Sequence, residues 1–283
     1  MSLKFNIFFL GFFLLFAVSC GPEEKKPEKK AQDVPVLTNV EAKRFNLLLS
    51  DLEELKADGC LKNASLGYYI IDITRESKKT VIAENDQTRP MMPASTLKLF
   101  VTAPALEIFG PPIIPEVTVT NEHSVNWRSS KLLRRIGGKI YNHNSKDAGV
   151  QAILEFWKAK GLVTRGMYFD DGNGLSRNNA ISPKQLVDAL YIMTNSKYFL
   201  PFYESLPIAG ITGTLHKALR GTEAEGRVRA KTGTIAGVKS FAGYVKSVSG
   251  RELIFAIIVN DYSCRTKLIK MKLEAIMLRM AEV

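Results

Sequence analysis

The hydrophobic positions near the start of the chain change periodicity from helical to strand-like. Leucines recur at helical spacing from Asn39 to Ala57, which predicts an amphipathic helix. Leu66–Ile73 and Thr80–Glu84 are rich in β-branched and aromatic residues and flank a charged turn. We therefore expect these two segments to form an antiparallel hairpin.

The middle of the chain is predominantly helical in pattern. A buried helix is predicted to start around Ser95, to bend at Pro104, which lacks the N–H that would pair with the carbonyl of Phe100, and to end at Gly110. Three further segments have the spacing or the start signals of helices. They are Ser124–Ile136, Lys146–Lys160 and Ser182–Asn195.

Strand-like segments return in the last third, at Arg227–Lys231, Ser240–Ser247 and Glu252–Asn260, and Cys264–Met280 closes the chain as an amphipathic helix. Two strands thus precede the helical middle and three follow it. The pattern predicts an α/β chain of the α+β type, with one five-stranded antiparallel sheet and the terminal helices on one of its faces. An all-helical subdomain, residues 95–220, is inserted between the sheet parts 39–94 and 221–283.

The segment Phe109–Asn121 joins the Ser95 helix to the Ser124 helix. It contains three prolines, which disfavour a helix. We expect an extended connection that passes close to the mouth of the site described below.

The N-terminal residues Met1–Cys20 have the features of a secretion signal, with Lys4 before an apolar run, Ile7–Val18, that is too short to span a bilayer. The run ends in small residues before Cys20, which resembles a bacterial lipoprotein cleavage box. We expect lipidation of Cys20 and a flexible charged tether over residues 21–38. The alternative is an ordinary signal peptide with an incidental cysteine.

The net charge of +11 allows several partner classes. Export argues against nucleic acid and favours anionic envelope polymers or lipid headgroups, although a basic surface kept for solubility explains the charge equally well. The chain has no Cys-x-x-Cys pair, and its three histidines show no metal-ligand spacing. We expect no metal and no cofactor.

Candidate chemistry begins with Ser95 and Lys98. Three residues apart on one helical face, the two side chains can touch, and a desolvated lysine can take the proton of a serine nucleophile. Because Ser-x-x-Lys is common by chance, a surface serine that caps a helix beside a solvated lysine is the alternative. The apolar flanks, such as Leu97 and Phe100, favour a buried lysine, which requires a functional reason.

Two other clusters suit the same chemistry. Lys231, Thr232, Gly233 and Thr234, at the end of a predicted strand, can hold a carboxylate, and the glycine lets a substrate backbone approach. A strand end with a solvated lysine is the alternative.

Ser124-Val125-Asn126 offers a second hydroxyl for proton relay and an amide to orient the substrate. The alternative is that Ser124 is an ordinary helix N-cap. A rival Ser-x-Asn at Ser176-Arg177-Asn178 ranks lower because its surroundings are rich in turn residues.

In this order, Ser-x-x-Lys, Ser-x-Asn and Lys-Thr-Gly resemble the penicillin-recognising serine enzymes. The sequences around them are similar to the class C penicillin-binding proteins, the D-Ala-D-Ala carboxypeptidase/endopeptidase family that trims peptidoglycan. The similarity spans residues 60 to 260 and includes these segments: Pro93-Ala94-Ser95-Thr96-Leu97-Lys98, Asp171-Gly172-Asn173-Gly174-Leu175-Ser176-Arg177, Leu206-Pro207-Ile208-Ala209-Gly210, Gly213-Thr214-Leu215 and Ala230-Lys231-Thr232-Gly233-Thr234. The resemblance implies a β-lactamase/transpeptidase-like fold, peptidoglycan stem peptides as substrates and β-lactam antibiotics as covalent inhibitors.

The resemblance also implies a role for each residue. Ser95 is the nucleophile and Lys98 its base, with the backbone N–H groups of Ser95 and Thr234 as the oxyanion hole. Ser124 passes a proton to the leaving amine, while Asn126 holds the substrate amide. The terminal carboxylate binds Lys231, Thr232 and Thr234.

Two departures from the family pattern concern Asn173, which replaces a serine, and the spacing of Lys98 and Ser124. Members usually carry a long insertion between these last two residues, whereas here they are 124 − 98 = 26 positions apart. Two alternatives stay open. One is a β-lactamase, which shares the three motifs but must deacylate penicillin quickly, and the other is a non-catalytic envelope-binding remnant, since a chain without the extra domains can lose turnover. No convincing glutamate loop of the class A β-lactamase type is found, and the intact motifs argue against the remnant.

The resemblance further implies a pairing for Cys60 and Cys264. Cys60 precedes the first strand and Cys264 follows the last, and in this family's sheet those strands are antiparallel neighbours. Since exported proteins meet an oxidising compartment, a disulfide is expected. Two buried free thiols are the alternative.

The expected lipidation of Cys20 predicts that the wild-type protein partitions into the detergent phase, facing the periplasm from a membrane of the bacterial envelope. The Cys20→Ser variant is expected to be released or misprocessed, whereas Ser19→Ala, which keeps the cysteine, stays anchored. Phase partitioning and the mass of the mature N-terminus measure both. Wild-type protein found soluble and cleaved elsewhere contradicts the assignment.

Overall fold

The computed structural model describes residues 39–75 and 78–283, all within one compact unit, Leu37–Val283. The predicted signal segment Met1–Cys20 and the tether 21–38 lie outside the described residues, so lipidation of Cys20 stays a prediction. None of the helices in the described ranges is long and apolar enough to cross a membrane.

The framework is a five-stranded sheet in the order β2-β1-β5-β4-β3, with every neighbouring pair antiparallel. This confirms the predicted β-lactamase/transpeptidase-like fold class. The strands are β1 (Ser65–Arg75), β2 (Lys78–Asn85), β3 (Val228–Ile235), β4 (Val238–Lys246) and β5 (Glu252–Asn260). Strand β3 therefore lies at one edge of the sheet, with its outer backbone groups open to other partners.

Eight α-helices surround the sheet in the described residues. They are α1 (Asn39–Ala57), α2 (Leu99–Phe109), α3 (Ile114–Glu122), α4 (Asn126–Tyr141), α5 (Lys146–Ala159), α6 (Pro183–Thr194), α7 (Phe199–Glu204) and α8 (Thr266–Glu282). The first matches its predicted bounds, whereas α7 was not predicted. Helices α1 and α8 contribute to one hydrophobic core, and α2 to α7 contribute to the other.

The alternation of side chains along β5 separates these two cores. Ile254, Ala256 and Ile258 pack with the helical middle of the chain, while Phe255 and Ile257 pack with α1 and α8. Because successive side chains of a strand point to opposite faces, a strand covered on both sides reads as a continuous apolar run. This explains why the sequence shows no polar alternation there.

The extended connection predicted for Phe109–Asn121 is wrong. A short 3-10 turn, Pro111–Ile113, is followed directly by α3. Its prolines are tolerated because they occupy first-turn positions, including Pro115 of α3, where an N–H would have no partner within the helix.

The Ser95 segment also differs from the single predicted helix. It starts as a 3-10 turn, Ala94–Lys98, before α2 continues through Pro104 to Phe109. The carbonyl of Phe100, which loses its helical donor because of the proline, accepts instead from Nε1 of buried Trp157 at 3.1 Å. A tryptophan from α5 thus fills the hydrogen-bonding gap in the helix that follows the candidate nucleophile.

Two other boundaries shift where the candidate site lies. Strand β3 was predicted to end at Lys231 but continues to Ile235, so the whole Lys-Thr-Gly-Thr segment is paired with β4. Helix α4 was predicted to begin at Ser124 but starts at Asn126, with Ser124 in a left-handed conformation (φ 57°) just before it.

The expected disulfide between Cys60 and Cys264 is confirmed, with the two Cα atoms 5.2 Å apart. Ser65 of β1 is paired with Asn260 of β5, so the neighbouring strands bring the two cysteines together. The backbone N–H of Ser263 also donates to the Cys60 carbonyl at 3.0 Å.

Because the bond joins residues 204 positions apart, its loss should destabilise the fold by about 2–5 kcal/mol. The Cys60→Ser/Cys264→Ser variant is expected to show this loss in urea unfolding. Reducing agent should lower wild-type stability to the same level and leave the double variant unchanged. Equal stability of oxidised wild type and the variant contradicts the prediction.

Candidate active site

Ser95 lies in a tight turn that is anchored to the sheet. Its neighbour Ala94 takes a left-handed conformation (φ 49°), which is rare for a residue with a side chain. The carbonyl of Pro93 accepts from Thr96 Oγ1 at 2.7 Å and from Ser240 Oγ of β4 at 2.6 Å. The first bond lies within the turn, and the second holds the strained turn against β4.

Two glycines allow the turn to be approached from both sides. A Cβ on Gly174 would lie 1.9 Å from the Ala94 carbonyl oxygen, and one on Gly233 would lie 2.1 Å from Ser240 Oγ and 2.7 Å from the Pro93 carbonyl oxygen. We expected the missing side chain of Gly233 to let a substrate backbone approach, and this stays a prediction. The missing side chain makes room for the turn that carries Ser95.

Lys98 is fully buried, and its Nζ lies within hydrogen-bond distance of three oxygens. Ser95 Oγ is 2.7 Å away, Asn126 Oδ1 is 2.8 Å away and the carbonyl oxygen of Asn173 is 2.5 Å away. A neutral amine has two N–H donors and one lone pair. The amide and carbonyl oxygens can only accept, so the lone pair is left for the hydroxyl proton of Ser95.

Burial lowers the pKa of Lys98 to about 7, against an opposing effect of the Asp171 carboxylate. An ammonium group is poorly solvated in such a site, and the neutral form is favoured. A base with a pKa near neutrality is suited to take the serine proton.

The Asn173 carbonyl is held by a loop built around Asp171. One oxygen of this carboxylate accepts from the N–H groups of Asn173 and Gly174, at 3.1 and 2.7 Å, and the other from Ser176 N–H at 2.8 Å. The Asn173 side chain donates to Ser130 of α4 at 2.8 Å. Sequence reasoning noted this run but did not foresee a backbone ligand of Lys98.

Ser124 and Lys231 form the second polar pair. Lys231 Nζ lies 2.9 Å from Ser124 Oγ and 3.0 Å from the carbonyl oxygen of Thr232. Complete burial, together with the charges of Lys98 and Lys239, lowers the Lys231 pKa well below its ordinary value. A hydroxyl beside a lysine of lowered pKa can pass a proton.

The open edge of β3 supplies backbone donors. Val228 O and Ala230 N already bond off this edge to Ala209 N and Pro207 O. Backbone groups of a strand alternate between its two edges, so the N–H of Thr234 points to the same open side. The N–H of Thr234 is therefore placed to donate to an oxyanion. Thr232 lies on the same strand, with its Oγ1 3.0 Å from Thr214 Oγ1.

Lys239 was missed by sequence reasoning. It lies opposite Thr234 on β4, is 95% buried, and donates to Thr234 Oγ1 at 2.7 Å. Burial, aided by the charge of Lys270, lowers its pKa to about 8. The bond occupies an acceptor position of Thr234 and leaves its hydroxyl proton free to donate. Only the antiparallel register reveals this contact.

The structure brings together the predicted Ser95, Lys98, Ser124, Asn126 and Lys231. Ser176, from the rival Ser-x-Asn motif, lies apart from these residues in the Asp171 loop, where its hydroxyl donates to Asp170. No group of metal-ligating side chains occurs among the residues that the structure describes.

Comparison with known families agrees with this geometry. The model of the D-Ala-D-Ala carboxypeptidase 3 (S13) family matches residues 48–126 and 111–281. The two matches overlap at residues 111–126, so the family model is matched in two parts that join in this segment.

Curated relatives match about half of the chain. The D-alanyl-D-alanine carboxypeptidase of Actinomadura sp. (strain R39) is 37% identical over 164 residues, which is 56% of this chain and 30% of the relative. The D-alanyl-D-alanine carboxypeptidase DacB of Haemophilus influenzae is 29% identical over 143 residues, 50% of this chain and 30% of the relative. The chain therefore spans less than a third of the length of these two relatives.

Solved structures share the fold. Penicillin-binding protein 4 from Haemophilus influenzae has a TM-score of 0.56 at 24% identity, covering 60% of this chain and 40% of that one. A class A β-lactamase from Bacteroides cellulosilyticus has a TM-score of 0.64 at 16% identity, covering 84% and 97%. The chain therefore aligns over nearly the whole length of the β-lactamase but over less than half of the length of penicillin-binding protein 4.

The lowered pKa of Lys98 predicts how acylation of Ser95 by a penicillin depends on pH. The amine must be neutral to take the serine proton, so the rate should rise with pH through about 7 and level off above it. At pH 6 we expect a rate about ten-fold below the plateau. Single-turnover labelling with a fluorescent penicillin measures this.

Circular dichroism over the same range should show that the fold is unchanged, and Lys98→Ala should abolish acylation at every pH. A rate that keeps rising toward the ordinary lysine pKa of 10.5 argues against a neutral Lys98 base.

Proposed function

Because the chain belongs to the D-Ala-D-Ala carboxypeptidase 3 (S13) family, we propose that it is a serine-type D-Ala-D-Ala carboxypeptidase acting on peptidoglycan stem peptides. One observation carries the proposal. The Lys98 amine lies 2.7 Å from Ser95 Oγ, fully buried and surrounded by uncharged oxygens. This is an activated serine nucleophile.

In the acylation step, Ser95 Oγ bonds to the carbonyl carbon of the penultimate D-Ala while Lys98 takes the hydroxyl proton. The backbone N–H groups of Ser95 and Thr234 stabilise the oxyanion. The bond to the terminal D-Ala nitrogen then breaks, and Ser124, supplied by Lys231, gives that nitrogen a proton. Water then adds its oxygen to the ester carbonyl carbon, and Lys98 returns its proton to Ser95 Oγ as the bond to that oxygen breaks. The shortened peptide leaves as a carboxylate, and the two water protons pass to Lys231 and to solvent.

Substrate recognition depends on the terminal carboxylate. Lys231 lies at the open edge of β3 with Thr232 and Thr234, whose hydroxyls can donate to an anion. An arriving carboxylate favours the charged form of Lys231 and so strengthens its own binding. Asn126, whose Oδ1 accepts from Lys98, retains its Nδ2 donors for the substrate amide.

β-Lactams are expected to acylate Ser95 and to remain attached. Penicillin-binding protein 4 from Haemophilus influenzae, 25% identical with a TM-score of 0.54 over 59% of this chain and 40% of that one, has been solved in complex with a β-lactam. In the described residues, no carboxylate is hydrogen-bonded to Ser95 or Lys98, and the nearby Asp171 accepts four backbone N–H groups of its own loop. This arrangement supports slow deacylation and disfavours β-lactamase activity.

The place of action that we propose is the bacterial cell envelope, with the protein held to a membrane by lipidated Cys20 and facing the periplasm. The apolar run and small residues before Cys20 support this. Endopeptidase activity on cross-linked peptides is part of the same chemistry, since only the leaving amine differs.

The missing insertion predicts a weak enzyme. Helix α3 connects the segment of Ser95 directly to Ser124, so the reacting groups keep their places without extra domains. Remote contacts with long substrates are lost, and these normally assist the chemical step as well as affinity. D-alanine release from a pentapeptide should therefore be slower than in a full-length relative, whereas penicillin acylation is retained.

Intact mass spectrometry beside D-alanine release tests the proposal. Wild-type protein should gain the mass of one penicillin on Ser95 and release D-alanine, and Ser95→Ala should do neither. Ser176→Ala, which removes the rival serine, should label normally. A label that survives Ser95→Ala, or the absence of any acylation of wild type, contradicts the proposed function.

A further inference from the structure

Helix α4 carries charge of one sign only. Its sixteen residues include five basic side chains and no acidic one, namely Arg128, Lys131, Arg134, Arg135 and Lys139. The opposite side of the helix is buried through Leu132, Leu133 and Ile136. The cations therefore concentrate on the outer face of the helix.

Most of these cations have no carboxylate partner. Arg135 pairs with Glu116 at 2.5 Å, but no ion pair joins the other four to any residue in the described part of the chain. Helix α8 is different, because its Lys270, Lys272 and Arg279 each pair with a carboxylate. Part of the chain's net charge of +11 is therefore positive charge on α4 that no carboxylate of the described residues neutralises.

The outer face is a continuous row. Trp127, Lys131 and Arg134 follow at spacings of four and three residues, which places them on one side of the helix. The exposed Lys139 lies near the end of the helix, on the flank of that side. Trp127 is 60% exposed, and the guanidinium of Arg128 lies 4.8 Å from the centre of its ring. An exposed aromatic beside unpaired cations suits a ligand with flat groups and negative charges.

This row begins at the candidate active site. Asn126, the first residue of α4, accepts from Lys98 at 2.8 Å, and Trp127 follows it. Sixteen helical residues extend for about 24 Å. A long ligand with one end at Ser95 can therefore continue along the face of α4.

We propose that the outer face of α4 is a docking surface for the anionic peptidoglycan polymer, whose peptide carboxylates bind Lys131, Arg134 and Lys139. This rests on the proposed function, since the same polymer supplies the reacting peptide. Charge complementarity and continuity with the site favour this occupant. A bilayer lying against the same face would cover the start of α4 and the mouth of the cleft.

The test compares two triple variants in the full chain. Lys131→Gln/Arg134→Gln/Lys139→Gln removes three cations from α4. Lys43→Gln/Lys62→Gln/Lys267→Gln removes three exposed cations from elsewhere and changes the net charge equally. Binding is measured by co-sedimentation with purified peptidoglycan sacculi at low salt. The α4 variant should bind about ten-fold more weakly, and the control variant within about two-fold of wild type.

Penicillin acylation separates docking from chemistry and should stay within about two-fold in the α4 variant. Unchanged sacculus binding, or an equal loss in the control variant, overturns the docking surface. So does a loss seen only with vesicles of equal parts phosphatidylglycerol and phosphatidylcholine. If wild-type protein fails to react with penicillin yet binds sacculi through α4, the proposed function fails and the docking surface stands.

Discussion

The burial of two lysine amines in one site, with no carboxylate of the described residues hydrogen-bonded to either of them, is the constraint on which the site depends. Lys98 and Lys231 are both fully buried, and their polar partners are hydroxyl, amide and carbonyl oxygens. Burial of an unpaired charge is costly, so the pKa of both amines is lowered. The same burial supplies a base beside Ser95, and an anionic substrate that binds beside Lys231 would favour the charged form of that lysine.

The rest of the fold holds this arrangement in place. Gly174 and Gly233 allow the loop and the edge strand to close on the strained turn at Ala94. The Asp171 carboxylate accepts hydrogen bonds from backbone N–H groups of its loop and thereby holds the Asn173 carbonyl against Lys98. The rigidity needed for the chemistry thus comes from backbone contacts that tolerate few substitutions.

Much of the fold followed from the sequence because the apolar pattern is strong. The apolar run of β5 and the leucine spacing of α1 predicted both elements. The order of the motifs predicted that Ser95, Lys98 and Lys231 share one site. Helix α3 was missed because Pro115 lies in its first turn and Pro111 and Pro112 lie in the 3-10 turn before it, which composition alone does not reveal. The Asn173 carbonyl and Lys239 were missed because a backbone ligand and a cross-strand partner depend on tertiary geometry.

We infer that the fold lowers the pKa of Lys98 to near neutrality, and the ionisation of that one amine tests this most directly. NMR of protein labelled with ¹³C at the lysine Cε can follow it, with the Lys98 signal assigned by its loss in Lys98→Arg. We predict a titration midpoint of about 7. A midpoint near the ordinary lysine value of 10.5 would contradict it.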